Sequence, residues 1–192
     1  TVQINELKKI KKIFNKSFIK AVDLILDCKG KVIFAGIGKS GLIARKISAT
    51  FSSVGIPSFF CDPAQALHGD MGQIEKRDIL IIFSYSGNTS ELTNMLKYAN
   101  RYRIKIIGVA SKPESILLKA SDIKLILPKV KEADLTGMVP TTSTSITLLL
   151  GDCLATTIMS QKKFSKEKFK IFHPGGNIGS SLLLAKDIMV TG

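Results

Sequence analysis

The run Asp78-Ile-Leu-Ile-Ile-Phe83, continuing through Ser84-Tyr-Ser-Gly-Asn-Thr-Ser-Glu91 into Leu92-Thr-Asn-Met-Leu-Lys-Tyr-Ala99, decides how this chain is read. The first part is continuously apolar and reads as a strand buried on both faces. The last part spaces its apolar residues as a helix does. Between them lie a glycine and the hydroxyls of Ser84, Ser86, Thr89 and Ser90, at the point where a strand feeds a helix. Backbone N–H groups and the positive end of the helix dipole converge at such a turn, which makes it an anion site. Ser, Thr and Asn are ordinary helix caps, but a cap needs a single hydroxyl. The excess points to phosphate, because hydroxyls donate to phosphate oxygens without adding a competing charge.

The same alternation extends in both directions. Residues 2–28 place Leu7, Ile10, Phe14, Phe18, Ala21, Val22 and Ile25 at helical spacing, which predicts one long amphipathic helix. Strands are predicted at 31–35, 58–61, 79–83, 104–109 and 123–127. Helices are predicted at 42–54, 92–101, 115–120, 144–159 and 165–172, with a single helical turn at 63–67. Apolar strands alternating with helices predict an α/β fold, a doubly wound parallel sheet of five strands covered on both faces. Ligands of such sheets sit outside the carboxyl ends of the strands. The turn at 36–41 and the turn at 84–91 both belong to that edge, so one site can use both. Thr141-Thr-Ser-Thr144 reads mainly as a helix cap, with a contact to a phosphorylated ligand as its other use.

With 192 residues the chain holds one full core. Its net charge of +13 raises nucleic acid as a partner. The lysines, however, lie on amphipathic patterns with few aromatics interleaved, which reads as a solvated helix face that also steers anionic substrates. Three widely spaced cysteines (Cys28, Cys61, Cys153) form no CxxC pair and imply a reducing, cytoplasmic setting. No apolar run is long enough for a membrane span. The chain opens on Thr1, which reads as a piece of a longer protein.

Two motifs imitate nucleotide sites. Gly36-x-Gly38-x-x-Gly41, with Asp62 closing the next strand, matches a dinucleotide fingerprint. Lys39 inside the turn and the second, hydroxyl-rich loop argue against that use. Gly38-Lys39-Ser40 resembles the end of a Walker A loop, but the glycine required five residues earlier is Ile33.

GIGKSG at 36–41, FSYSGNTSE at 83–91 and HPGGNIG at 173–179 together resemble the sugar isomerase (SIS) domain, a phosphosugar-binding, flavodoxin-like fold. The longer matches at 38–60, 66–72 and 131–144 resemble the D-arabinose 5-phosphate isomerases within that family. The resemblance implies cofactor-free interconversion of D-ribulose 5-phosphate and D-arabinose 5-phosphate, the entry to the lipopolysaccharide sugar Kdo. It assigns catalytic positions to Lys39, Glu91, Glu132, His173 and His68. It assigns substrate contacts to Ser40, Gly55, Ile56, His68, Ser84, Ser86 and Thr89, with 94–103 and 128–130 as looser substrate-side segments. It also implies a SIS domain over 1–184, a stub at 185–192 resembling the start of a CBS domain, and a homotetramer without nucleic-acid or membrane partners. The amphipathic first helix and the apolar helix near 144–159 fit an oligomer whose site is shared between chains.

The chemistry suits these residue types. Aldose–ketose isomerisation needs a base, a proton shuttle and a donor or cation at the enediolate oxygens. Glu91 or Glu132 fits the base if burial raises it by roughly two units from a free value near 4.3. Lys39 can neutralise phosphate or an enediolate oxygen. Three departures from the family pattern bear on detail. Asp62 stands before Pro63 where the family often has a zinc-associated histidine, which leaves a weak metal ligand. Asn88 and Asp134-Leu135 replace a frequent Glu and a frequent Cys-Pro, which touches substrate preference. Another sugar-phosphate isomerase on the same fold, or a non-catalytic phosphosugar sensor, are the alternatives.

Overall fold

A computed structural model of the protein describes residues 2–173 and Met189. The five strands are β1 (Val32–Gly36), β2 (Ser58–Cys61), β3 (Ile79–Phe83), β4 (Lys105–Ala110) and β5 (Ile123–Ile126). They form one sheet in the order β2-β1-β3-β4-β5, every pairing parallel. The connections are α3 (Gly38–Ser53), α4 (Pro63–Ala66), α5 (Leu92–Arg101) and α6 (Ile116–Ala120), with α1 (Val2–Leu7) and α2 (Lys16–Leu26) before the sheet and α7 (Thr142–Gln161) and α8 (Lys166–Phe172) after it. The expected five-stranded, doubly wound sheet is the observed one. The CBS-like stub expected at 185–192 lies outside the described residues apart from Met189.

The strand pleat sorts the core into two layers. Val32 and Phe34 of β1, Ile79, Ile81 and Phe83 of β3, and Ile107 and Val109 of β4 face α2, α3 and α7. The alternate residues Ile33, Ala35, Leu80, Ile82, Ile106 and Ala110 face α4, α5 and α6. Both sets are buried, so the strands read as unbroken apolar runs without a polar alternation. Each of the buried Val, Leu, Ile and Phe side chains contributes about 1.5–3 kcal/mol on burial. Phe34 anchors the first layer, packing edge-on against Phe51 (4.8 Å) and parallel to Phe83 (6.1 Å).

At the amino edge of the sheet the buried carboxylate of Asp78 ties the strands together. It accepts from the Lys31 backbone N–H (2.7 Å) and the Glu75 N–H (2.8 Å), with the Lys31 ammonium at 3.4 Å. At the carboxyl edge α3 comes unusually close to β1. A Cβ on Gly41 would lie 2.6 Å from the Gly36 carbonyl oxygen, so only glycine allows this approach.

Three boundaries differ from the sequence expectation. The single amino-terminal helix is instead α1, a 3₁₀ segment (Lys8–Ile13) and α2. The break occurs because Asn15 is extended and its side-chain oxygen accepts from Ser17 N–H, starting a new helix. The helix after the first glycine turn begins at Gly38, inside the motif, so Lys39 and Ser40 occupy its first turn. The long helix begins at Thr142, two residues earlier than its apolar pattern, for a reason that lies in the site.

Candidate active site

In the order β2-β1-β3-β4-β5 the chain leaves β1 in one direction and β3 in the other. That reversal opens a crevice at the carboxyl ends of β1 and β3. A cavity of about 580 Å³ occupies it. Lys39 and Ser40 from the first turn of α3 form one wall, and Ser84, Tyr85, Ser86 and Thr89 form the floor. Val130, Lys131, Glu132 and the start of α7 (Ser143, Thr144, Thr147) form the opposite wall.

The floor is a preformed hydroxyl cradle. Ser84 N–H donates to the Val109 carbonyl, which continues the sheet register past β3. The buried Ser84 Oγ accepts from Gly87 N–H (3.0 Å) and shares one hydrogen with Thr89 Oγ1 (2.8 Å). Whichever hydroxyl donates in that pair, one hydroxyl hydrogen is left over. Ser86 Oγ accepts from Asn88 N–H (3.3 Å), which leaves its own hydrogen free as well. Gly87 turns the loop with φ +69°, and a Cβ there would lie 2.2 Å from Ser115 Oγ. Asn88 does not face the cavity; its side-chain oxygen accepts from Ile116 N–H (3.0 Å) and starts α6. Tyr85 joins floor to wall: its carbonyl accepts twice from Ser111, and its hydroxyl accepts from Val130 N–H (3.0 Å).

Glu132 explains the early start of α7. Its Oε2 accepts from Thr141 N–H (2.9 Å), Thr141 Oγ1 (3.1 Å) and Ser143 N–H (3.2 Å). The cap of this helix is therefore a carboxylate from ten residues upstream. The Thr141 hydroxyl makes no capping bond; it accepts from Ala133 N–H instead. Burial pushes the Glu132 carboxyl up, but the bonds from Ser143 and Thr141 outweigh it and hold the group below the usual range. The elevated carboxylate expected for a base is thus not found here. Nor is it found at Glu91, which is fully exposed, lines no wall of the cavity and is lowered by its own backbone N–H and by the Ser90 hydroxyl (2.8 Å). Ionised carboxylates bonded to N–H donors are stabilised in the charged form.

The remaining sequence-derived positions lie elsewhere. His68 is exposed just past α4, and its backbone N–H donates to the Gln65 carbonyl. Asp62, expected as a weak metal ligand, caps α4 by accepting from Ala64 N–H (2.9 Å). Among the described residues no group of three or more His, Cys, Asp or Glu side chains is arranged around a metal. Gly55 and Ile56 precede β2, at the amino edge opposite the cavity, where Gly55 meets the rings of Phe164 and Phe172. His173 ends α8, stacked on Phe169 (3.8 Å) with Nδ1 2.8 Å from the Phe169 carbonyl. A carbonyl only accepts, so Nδ1 carries the hydrogen and Nε2 of the neutral ring is the basic nitrogen. Of 94–103 and 128–130, only Val130 lines the cavity. The structure therefore brings Lys39, Ser40, Ser84, Ser86, Thr89 and Glu132 together, and leaves Glu91, His68, Gly55, Ile56 and His173 outside that cavity. Sequence reasoning missed Lys131 and Tyr85 as lining residues. The doublet Lys131-Glu132 gave Lys131 no separate signal, and Tyr85 sat unread inside the hydroxyl loop.

A flavodoxin-like sheet with a hydroxyl loop and a lysine-bearing helix start at its switch point defines a family. The model for the SIS domain matches residues 24–157, and the chain belongs to that family. Among its relatives, the arabinose 5-phosphate isomerase KdsD of Shigella flexneri is 42% identical over 187 residues, covering 97% of this chain and 57% of that protein. KdsD of Pseudomonas aeruginosa is 44% identical, covering 91% and 54%, and the Rickettsia prowazekii protein RP505 is 46% identical, covering 91% and 54%. The chain thus spans about half the length of the curated relatives it matches. Among solved structures it is similar to a Listeria monocytogenes putative sugar-phosphate isomerase (TM-score 0.87, 32% identity, 91% of this chain and 92% of that one). It is also similar to E. coli CFT073 c3406 in complex with arabinose 5-phosphate (TM-score 0.83, 36% identity, 88% and 92%).

Proposed function

We propose that this chain carries the isomerase centre of an arabinose 5-phosphate isomerase, interconverting D-ribulose 5-phosphate and D-arabinose 5-phosphate through an enediolate. The observation that carries the reading is the cavity itself: free hydroxyl donors on the floor, and cations and a carboxylate on facing walls. The phosphate sits on Ser84, Ser86 and Thr89, whose spare hydrogens each contribute about 1.5–3 kcal/mol to a charged acceptor. The backbone N–H groups of Ser86 and Thr89, which donate to nothing among the described residues, add to this cradle. The sugar then extends toward Lys39 on one side and Lys131 and Glu132 on the other. A lysine facing the developing enediolate oxygen stabilises charge that exists only in the transition state. The similarity to KdsD and to c3406 with its bound arabinose 5-phosphate supports this substrate over others of the class.

A depressed Glu132 is a weak base, so the proton transfers at neutral pH fall to imidazole, the side-chain type that titrates there. Neither His68 nor His173 reaches this cavity within one chain. We therefore assign a homotetramer in which a neighbouring subunit supplies the imidazole, with Glu91, Gly55 and Ile56 serving that shared site. Mixing inactive Lys39→Ala and His173→Ala proteins should restore turnover, because some sites then hold both intact residues. A role in the cytoplasm, feeding Kdo synthesis without a cofactor or nucleic-acid partner, belongs to the same reading. Among the described residues no helix is long and apolar enough to cross a membrane.

The separation of both histidines from the cavity also favours a second reading, a phosphosugar sensor that binds without turnover. Incubation with ribulose 5-phosphate separates the two. Formation of arabinose 5-phosphate is expected. Its absence from mildly acidic to mildly alkaline pH, with binding retained, establishes the sensor, and turnover of a different pentose or hexulose phosphate reassigns the substrate.

A further inference from the structure

The wall that holds Lys131 and Glu132 is a segment without regular secondary structure between β5 and α7. Such a segment keeps a side chain in place only if something fixes its backbone. Tyr85 fixes it at Val130 from the floor of the cavity. At the next residue the support comes from the far amino terminus. Glu6 Oε2, on α1, accepts from the Lys131 backbone N–H (2.8 Å) and from the Lys9 ammonium (2.6 Å). Lys9 in turn reaches the Lys129 carbonyl (3.4 Å). One turn earlier on α1, Gln3 donates from Nε2 to Ser145 Oγ (2.5 Å) and to the Thr141 carbonyl (3.4 Å). The six-residue helix α1 therefore grips both ends of the Glu132 capping bond: the backbone next to Glu132, and the helix start that Glu132 caps.

We propose that Glu6 is a positioning residue of the isomerase site, acting through the Lys131 N–H to set the backbone from which Lys131 and Glu132 reach the cavity. Glu6 lines no part of the cavity. It lies 125 positions from Lys131 in sequence, so only the fold relates them. The carboxylate is only 17% exposed, and the Lys9 ammonium and the Lys131 N–H hold it in its charged, accepting form. The phosphate cradle hangs from β3 and α5 and receives nothing from α1. Loss of the brace should therefore displace the reacting end of the sugar and leave the phosphate end anchored. That separation distinguishes positioning from a general loss of stability.

This inference rests on the isomerase reading of the cavity, and its test uses two independent readouts. Glu6→Ala removes the acceptor. Glu6→Asp keeps the charge but withdraws the oxygen by one methylene. Glu6→Gln keeps an acceptor at full length. In the ribulose 5-phosphate assay, well below the melting temperature, Ala and Asp should lower kcat by about tenfold or more with KM within about threefold, as a small misplacement of a catalytic group does. Gln should recover most of the loss. Amide hydrogen exchange, which needs no turnover, should accelerate across 128–141 in the Ala and Asp proteins and stay unchanged in the loop 84–91. Wild-type activity retained in Glu6→Ala or Glu6→Asp, a KM effect without a kcat effect, or unchanged exchange at 128–141 overturns the inference. A wild-type protein inert on sugar phosphates overturns the isomerase reading instead, and the exchange measurement still decides whether the brace exists.

Discussion

Replacement of Glu132 by Gln and by Ala offers a graded test of the bond that joins this wall of the cavity to α7. All three donors converge on the same oxygen, Oε2. A glutamine whose amide oxygen takes that place keeps the acceptor but loses the charge. The difference between a charge-assisted and a neutral bond, together with the lost interaction with the amino end of the helix dipole, amounts to about 1 kcal/mol. Alanine removes the acceptor as well and orphans the N–H groups of Thr141 and Ser143, for a total of about 2–3 kcal/mol. In a domain of this size that is a fall in Tm of about 2–4 °C for Gln and about twice to three times that for Ala. The assay is urea or thermal unfolding at fixed protein concentration, repeated as the pH is lowered. Because the folded pKa lies below the unfolded value of 4.5, the charge contributes fully above 4.5 and is lost as pH falls through the folded pKa. The gap between wild type and Glu132→Gln must therefore be open at neutral pH and close in acid. A gap that is the same at neutral pH and at roughly pH 3 would refute the argument. So would a Glu132→Ala protein as stable as Glu132→Gln.

Other outcomes follow from the same geometry. Ser86→Ala removes a free hydroxyl hydrogen and nothing structural beyond the Asn88 contact, so sugar-phosphate affinity should fall by about tenfold with Tm nearly unchanged, read by calorimetric titration. Gly87→Ala combines a φ of +69° with a Cβ placed 2.2 Å from Ser115 Oγ; it should cost about 1–3 kcal/mol and weaken phosphate binding in the same protein. Asp78→Ala orphans the Lys31 and Glu75 N–H groups and should destabilise by about 3 kcal/mol, measured by denaturant midpoint, without altering KM in the protein that remains folded. Burial pushes the Cys61 thiol up to about 11, so alkylation at mildly alkaline pH should spare it and mass mapping should find it unmodified in the folded protein.

The sheet was legible because its inner strands β1, β3 and β4 are buried on both faces, so Ile79–Phe83 carries its signal in composition alone. The hydroxyl floor of the cavity was legible as a cluster because Ser84, Ser86 and Thr89 lie close together in sequence. What escaped is what depends on bonds between distant positions. The helix break at Asn15 is a side-chain cap that helical spacing does not encode. Glu132, flanked by Lys131 and Ala133, gives no local hint that it caps a helix nine to eleven residues later. The direction of its titration escapes for the same reason: the expectation of a raised carboxylate rested on burial alone, and the N–H donors that outweigh burial come from residues nine to eleven positions later. The placement of His68 and His173 outside the cavity likewise follows from where α4 and α8 fall, which no motif states.

The parallel sheet has a kinetic consequence. No two paired strands are joined by a hairpin; Val32 finds one partner at Ser58 and the other at Ile79, each across intervening helix or loop. Such non-local pairing makes for slow folding, since loop-closure entropy is spent before contacts return it. During synthesis the unit β1-α3-β2 can form first, carrying Lys39 with it. The loop after β3 joins only when β3 docks on the other side of β1, and the wall with Glu132 only after β5 and α7 exist to be capped. Anion-binding competence should thus appear late in refolding, after most helical signal has returned, so that a phosphorylated ligand reports the final docking step of the chain.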